Sequence, residues 1–314
     1  MTMRALISGS IAFDTIMVFK DRFGNHLLPD QVHILNVSFL VDNLRREFGG
    51  CAGNIAYTLN LLGDEALPVA AVGRDFQAYA AWLQTCGIPT THLLHHADSY
   101  TAQAYITTDL DDNQITAFHP GAMSFAHLGK IPTDAGADIG IVAPNGKQAM
   151  LEHCRQFAEA GIPFVFDPGQ GLPMFDAEEL ANMVALSSWV SVNDYESRLM
   201  AERMQLSVEA IAERVQGLIV TRGSQGSVIH SAGRRIDIPP VPAEAVLDPT
   251  GCGDAYRAGL LYGLARGLDW EVTGRIASVL GAIKVATHGT QNHHLTLEGV
   301  RQRYREAYGS EPVL

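Results

Sequence analysis

The chain has 314 residues, 47% of them hydrophobic, and carries 34 acidic against 22 basic side chains for a formal net charge of −12. That length and apolar content can bury a large core, as one large α/β domain or a domain with a smaller appendage, and they exclude a disordered chain. The acidic balance excludes a surface built to neutralise nucleic-acid phosphates or anionic lipid, which leaves a small molecule as the expected partner.

Residues 4–8 are a short apolar run that reads as a buried strand delivering Ser8-Gly9-Ser10 and then Asp14. GSIAFD has a single glycine where a dinucleotide fingerprint requires GxGxxG, so the Rossmann alternative starts weak. Segments 12–19, 32–41, 101–108 and 115–119 are β-branched and aromatic without helical period, and predict four short strands. Whole α/β units separate them, so they must gather into a small sheet projecting from the main body as a lid. Residues 49–54 form a glycine loop after Arg45-Arg46-Glu47, whose arginines read as a solvated helix start or loop. A helix follows, with Ile55, Ala56 and Leu59 at helical spacing and Gly63 as its stop.

Apolar runs at 67–72, 139–143, 164–166, 189–192 and 218–221 alternate with helical patterns. This predicts a mostly parallel sheet flanked by helices on both faces, with ligands at the carboxyl ends of the strands. Loops 167–171, 193–196 and 221–226 each follow such a run. A loop gives way to a helix near Gly253, and further helical patterns occupy 272–287 and 296–308. The expectation is one domain, residues 1–314, whose lid comes from about 12–41 and 100–121. Cys51, Cys86, Cys154 and Cys252 form no CxxC pair, which fits reduced thiols better than a zinc or dithiol site. MTMRALISGS has no leader pattern and no later run approaches membrane-spanning length, so a soluble cytoplasmic protein is expected.

GxxxxGK[ST], the protein-kinase signatures, HExxH and a GxSxG elbow are all absent. His95-His96 and His293-His294 read as solvated loop pairs, since adjacent side chains diverge too far to chelate, and Trp189 reads as core. What remains is polar and glycine residues at loops. In DPTGCGDAYRAG, residues 248–259, a glycine-rich helix start leaves unpaired N–H groups that can receive a phosphate, and Asp254 in the first turn could take a hydroxyl's proton. In isolation, Asp254 reads better as a complement to the helix dipole.

Four motifs taken together resemble the PfkB, or ribokinase-like, family of sugar and nucleoside kinases. They are GGCAGNIAYTLNLLG at 49–63, NDYE at 193–196, TRGSQG at 221–226 and DPTGCGDAYRAG at 248–259, in family order across almost the whole chain. GSIAFD at 9–14, LLPDQVH and VSFLVD within 27–42, FHPGAM at 118–123 and DPGQG at 167–171 are similar to the family's bacterial adenosine kinases. Cys51-Ala52-Gly53, where ribokinases typically carry a GGKGAN loop, shifts weight from a free pentose to a nucleoside.

The resemblance implies a ribokinase-like fold and transfer of the γ-phosphoryl of ATP to the 5′-hydroxyl of adenosine. Asp254 would be the general base, and the N–H groups of Gly251, Cys252 and Gly253 an anion hole. Asp14, Asn54 and the backbone at Gly50 would hold the ribose, Ser10, Ser38 and Gln170 would make further substrate contacts, and Phe118 would stack on the purine or pack within the lid. Asn193 and Glu196 would organise Mg2+ through water, while Thr221, Gly223 and Gly226 line the ATP side. Asp248 and Thr250, with the region around Gly289, would hold a K+ ion. A homodimer through the lid is also expected. The alternatives are a ribokinase, a fructokinase-like or an inosine or guanosine kinase, and a nucleoside-binding sensor without turnover.

Overall fold

A computed structural model of the protein describes residues 2–26, 37–111 and 113–312. Strand β1 (Arg4–Ser8) is an interior strand of a nine-stranded sheet. From it the chain passes through β2 (Ala12–Phe19), β3 (Val41–Gly49) and helix α1 (Cys51–Leu61) to β4 (Glu65–Gly73), which pairs parallel with β1. Helix α2 (Gln77–Thr85) then leads to β5 (Leu93–His96) at one edge. After β6 (Ala102–Thr108) and β7 (Gln114–His119), β8 (Ile139–Val142) pairs with the other side of β1. Helices α3 (Lys147–Glu159), α4 (Ala177–Leu186), α5 (Asp194–Met204) and α6 (Val208–Ala212) connect β9 (Phe164–Phe166), β10 (Trp189–Asn193) and β11 (Gly217–Thr221). Two antiparallel strands, β12 (Ser227–Ser231) and β13 (Arg234–Ile238), finish the sheet, and α7 (Cys252–Ala265), α8 (Trp270–Val285) and α9 (Leu297–Tyr308) end the chain.

Strand order β13-β12-β11-β10-β9-β8-β1-β4-β5 therefore reverses direction beside β1. A crevice opens beyond the carboxyl ends of strands at such a switch point. The period of two splits the strands between two cores: Ala5 and Ile7 of β1 join Ile55, Ala258 and Leu280 on one face, and Leu6 joins Met150, Phe157 and Leu180 on the other. This is the ribokinase-like α/β fold, mostly parallel and covered by helices on both sides.

The lid is a four-stranded sheet of order β3-β2-β6-β7. Its second segment in chain order corrects the expected strand at 32–41. Residues 32–36 of that segment lie outside the described residues, 37–40 form no strand, and the lid strand is Val41–Gly49. Arg45 and Arg46 stand on it, not in a loop or helix start. The pattern was hidden because β3 is an edge strand wet on both faces, with charges where a half-buried strand would alternate. The β12–β13 hairpin, turned by Ala232 (φ 50°) and Gly233 (φ 71°), was also not anticipated. His95 and His96 belong to β5 and not to a loop, His95 exposed and His96 stacked on Phe125; His293-His294 does lie in a loop, with His294 exposed and His293 buried against Tyr57 and Thr58. Burial holds the His293 imidazole down at about 4, so it stays neutral.

Candidate active site

A cavity of about 970 Å³ opens between the carboxyl ends of the strands and the lid. Ser10, Asp14, Gly50, Asn54, Phe118, Gln170, Asn193, Glu196, Thr250, Gly251, Gly253 and Asp254 all line it. A second cavity of about 530 Å³ lies on the far side of the 249–253 loop, walled by Thr221, Gly223, Gly226, Val241, Val246, Tyr256 and Ala282. Gly253 lines both, so the start of α7 is the partition the two spaces share. Ser38 is exposed and lines neither, and Asp248 also lines neither.

Asp254 sits in the first turn of α7, whose N-cap Gly251 has φ 79°. Ala255 N is the first to bond back, to Gly251 O, and Cys252 N donates to Pro249 O at 3.1 Å. The anion hole expected from three N–H groups is therefore corrected. Cys252 is engaged within its own turn, while among the described residues Gly251, Gly253 and Asp254 N–H find no protein acceptor. Unpaired N–H groups at a helix start are an anion site.

Asn54 Nδ2 donates to Asp254 Oδ2 at 2.8 Å, and Asn54 Oδ1 accepts from Gln291 Nε2 at 3.0 Å. Its amide is thus committed first to holding Asp254. Burial pushes Asp254 up to about 6, with the Arg257 guanidinium the largest opposing influence and the Asn54 hydrogen bond next. Arg257, one turn further along α7, pairs with buried Asp167, Nη2 donating to Oδ1 at 2.8 Å. A Cβ at Gly253 would stand 2.5 Å from Arg257 Nη1, so glycine is needed for the guanidinium to lie beneath the loop. Asp14, on β2, is also pushed up to about 6, by burial and then by the charges of Asp254, Glu47 and Asp248.

Ser10 lines the cavity but has a second duty: its Oγ accepts from Cys51 N at 3.1 Å and its carbonyl from Ala52 N at 2.9 Å, capping α1 from outside. Phe118 is 52% exposed and faces the cavity, which removes the alternative that it packs inside the lid. Asn193 and Glu196 close a capping box at the start of α5, each side chain bonding the other's N–H at 2.8 Å. Among the described residues no three His, Cys, Asp or Glu side chains cluster around an ion position. Magnesium beside phosphates needs only one or two carboxylates and keeps its waters, so the oxygen of buried Glu196 left outside the box fits an outer, water-mediated hold.

The expected K+ ligands do not fit an ion in the same way. Both oxygens of Asp248 accept main-chain N–H groups, from Thr250 and Gly289 at 2.9 Å each, and its carbonyl accepts from Lys284 Nζ.

Sequence reasoning missed Arg257, Gln291 and Lys284. Arg257 was within reach, because a charge three residues after Asp254 shares its helix face. Gln291 and Lys284 carry no such local signal.

The pfkB family carbohydrate kinase profile matches residues 25–296. The nucleoside kinase of Burkholderia thailandensis in complex with inosine is 48% identical, with a TM-score of 0.89 over 98% of this chain and 99% of that one. The same kinase in complex with ADP-inosine is 49% identical, with a TM-score of 0.87 over 98% and 97%. The nucleoside kinase of Methanocaldococcus jannaschii is 33% identical over 271 residues, 85% of this chain and 89% of that one. Among the described residues no helix is long and apolar enough to cross a membrane.

Proposed function

The chain belongs to the pfkB family of carbohydrate kinases, phosphotransferases with an alcohol acceptor, and on that premise we propose that it is a nucleoside kinase acting on purine nucleosides, adenosine among them. It would transfer the γ-phosphoryl of ATP to the 5′-hydroxyl, with residues 1–314 working as one unit in the cytoplasm, where four unpaired cysteines stay reduced. The observation that carries this reading is Asp254 in the wall of the first cavity, next to Gly253 which lines both, beside free helix-start N–H groups and in one cavity with Asp14 and Phe118. The inosine-bound relative supports a nucleoside in the first cavity, and the ADP-bound one a nucleotide in the second.

In this mechanism Asp14 accepts from the ribose hydroxyls, and Phe118 covers the purine from the lid. Gln170 carries an amide that both donates and accepts, so it can meet a 6-amino or a 6-oxo group, which argues for breadth among purines. Asp254 takes the 5′-hydroxyl proton as the oxygen attacks phosphorus in line, while Gly251 and Gly253 N–H groups receive the charge on the transferring group. Thr221, Gly223 and Gly226 frame the nucleotide across the partition. Glu196, with Asn193 fixing its backbone, would hold Mg2+ through water, and the ion would neutralise phosphate charge when bound.

Leu44, Tyr105 and Ile115 are exposed on the lid face opposite Asp14 and Phe118, judged by alternation along the paired strands. They support a homodimer through the lid; a monomer by sedimentation equilibrium at micromolar concentration would remove that part of the reading. The function itself is tested with adenosine, inosine, guanosine, ribose and fructose, each with ATP and Mg2+. Purine nucleosides should exceed the free sugars in kcat/KM by about 100-fold or more. Preference for a sugar would overturn the nucleoside assignment, and no ADP formation with any acceptor would favour a sensor.

A further inference from the structure

Lys284 stands in the last turn of α8 with no exposed surface. A buried ammonium is costly unless its protons find acceptors. Here Nζ donates to the carbonyl oxygen of Asp248 at 2.8 Å and to that of Thr287 at 3.3 Å. Around it, Leu247 N and Asp248 N both donate to Val285 O, Thr287 Oγ1 donates to Lys284 O, and the Asp248 carboxylate ties Thr250 N to Gly289 N. The segment that enters the Gly251–Gly253 turn is thus stitched to the end of α8 around one fixed positive charge. Burial is the largest influence on the ammonium and lowers its pKa, and the nearby Asp248 carboxylate is the first to oppose it.

Main-chain carbonyls beside a carboxylate are the donor set a bare monovalent ion would take, in the region where the sequence predicts one. We propose that the Lys284 ammonium is a built-in monovalent cation: it occupies those carbonyls permanently, positions the loop that carries the phosphoryl-binding N–H groups, and frees turnover from added K+. Lys284 is on this account a positioning residue. It does not line either cavity.

The inference rests on the protein being a phosphotransferase, so its test has one arm that reads turnover and one that does not. Turnover of the wild type should agree within about twofold between 0.1 M KCl and 0.1 M choline chloride, which match in screening. Its Tm should likewise be equal in the two salts. Lys284→Ala, which opens space, should lose about tenfold or more in kcat in choline chloride, with a smaller change in KM, and regain part of it in KCl or NH4Cl. Its Tm should rise in KCl over choline chloride. Lys284→Met, which fills the space without charge, should be slow in every salt. A wild type stimulated severalfold by K+, or raised in Tm by K+ specifically, would overturn the proposal even if neither variant folds. Full activity of Lys284→Met in choline chloride would do the same.

Discussion

Helices α1 and α7 begin alike and do different work. Each has a glycine N-cap in a positive-φ conformation, Gly50 at 86° and Gly251 at 79°, and neither N-cap supplies a side-chain hydrogen bond. At α1 the Cys51 and Ala52 N–H groups are nevertheless taken, because Ser10 reaches across from the end of β1 and accepts from both. At α7, among the described residues, the Cys252 N–H is engaged, and Gly251, Gly253 and Asp254 keep theirs for a ligand. The two starts also face one another, joined by the Asn54–Asp254 hydrogen bond. A glycine-rich helix start is therefore an anion site only when nothing else in the fold caps it, and α1 acts through a side chain that holds the base of α7. The capping boxes of α4 (Asp176 with Glu179) and α5 (Asn193 with Glu196) are the opposite case, closed by their own residues.

The sharpest way to break this contrast is at α7. Asp254→Asn keeps the helix start and the size of the side chain but removes the proton acceptor. It should lower kcat by about 10² to 10⁴. Nucleoside affinity measured by calorimetry should be largely kept, because Asp14 and Phe118 remain. Near-normal turnover would show that the free N–H groups do the catalysis alone and that Asp254 only complements the helix dipole.

How far the sequence carried this reading depends on the range of each interaction. β1, the central parallel strands and the start of α7 were legible, since short apolar runs and glycine punctuation are local signals. Asp14, Asn54 and Asp254 were legible as a set only through the resemblance of whole motifs. Two kinds of feature were not. β3 is polar on both faces, so Arg45 and Arg46 masked an edge strand. Partnerships across 200 residues or more, Asn54 with Asp254 and with Gln291, leave no trace in spacing, and they give Asn54, which lines the cavity, a second duty in support of Asp254. Ser10 and Cys252 follow the same rule: each sits where predicted, and a main-chain hydrogen bond visible only in the fold changes what it can offer.

A finer test concerns that Asn54 contact. Asp254 is held at about 6, so its ionised, proton-accepting form fills in as pH rises, and kcat at saturating nucleoside should climb through that value and then level. Saturation matters, because Asp14 is also near 6 and its ionisation bears on binding. The Asn54 amide donates to the carboxylate and so favours the ionised form. Removing it with Asn54→Ala raises the pKa, and the acidic limb should move to higher pH by roughly one pH unit, the size of a lost hydrogen bond to a charged group. Activity at the alkaline plateau should fall less than at pH 6. A uniformly slower enzyme with an unmoved limb would mean that α1 contacts the substrate directly and does not act through Asp254.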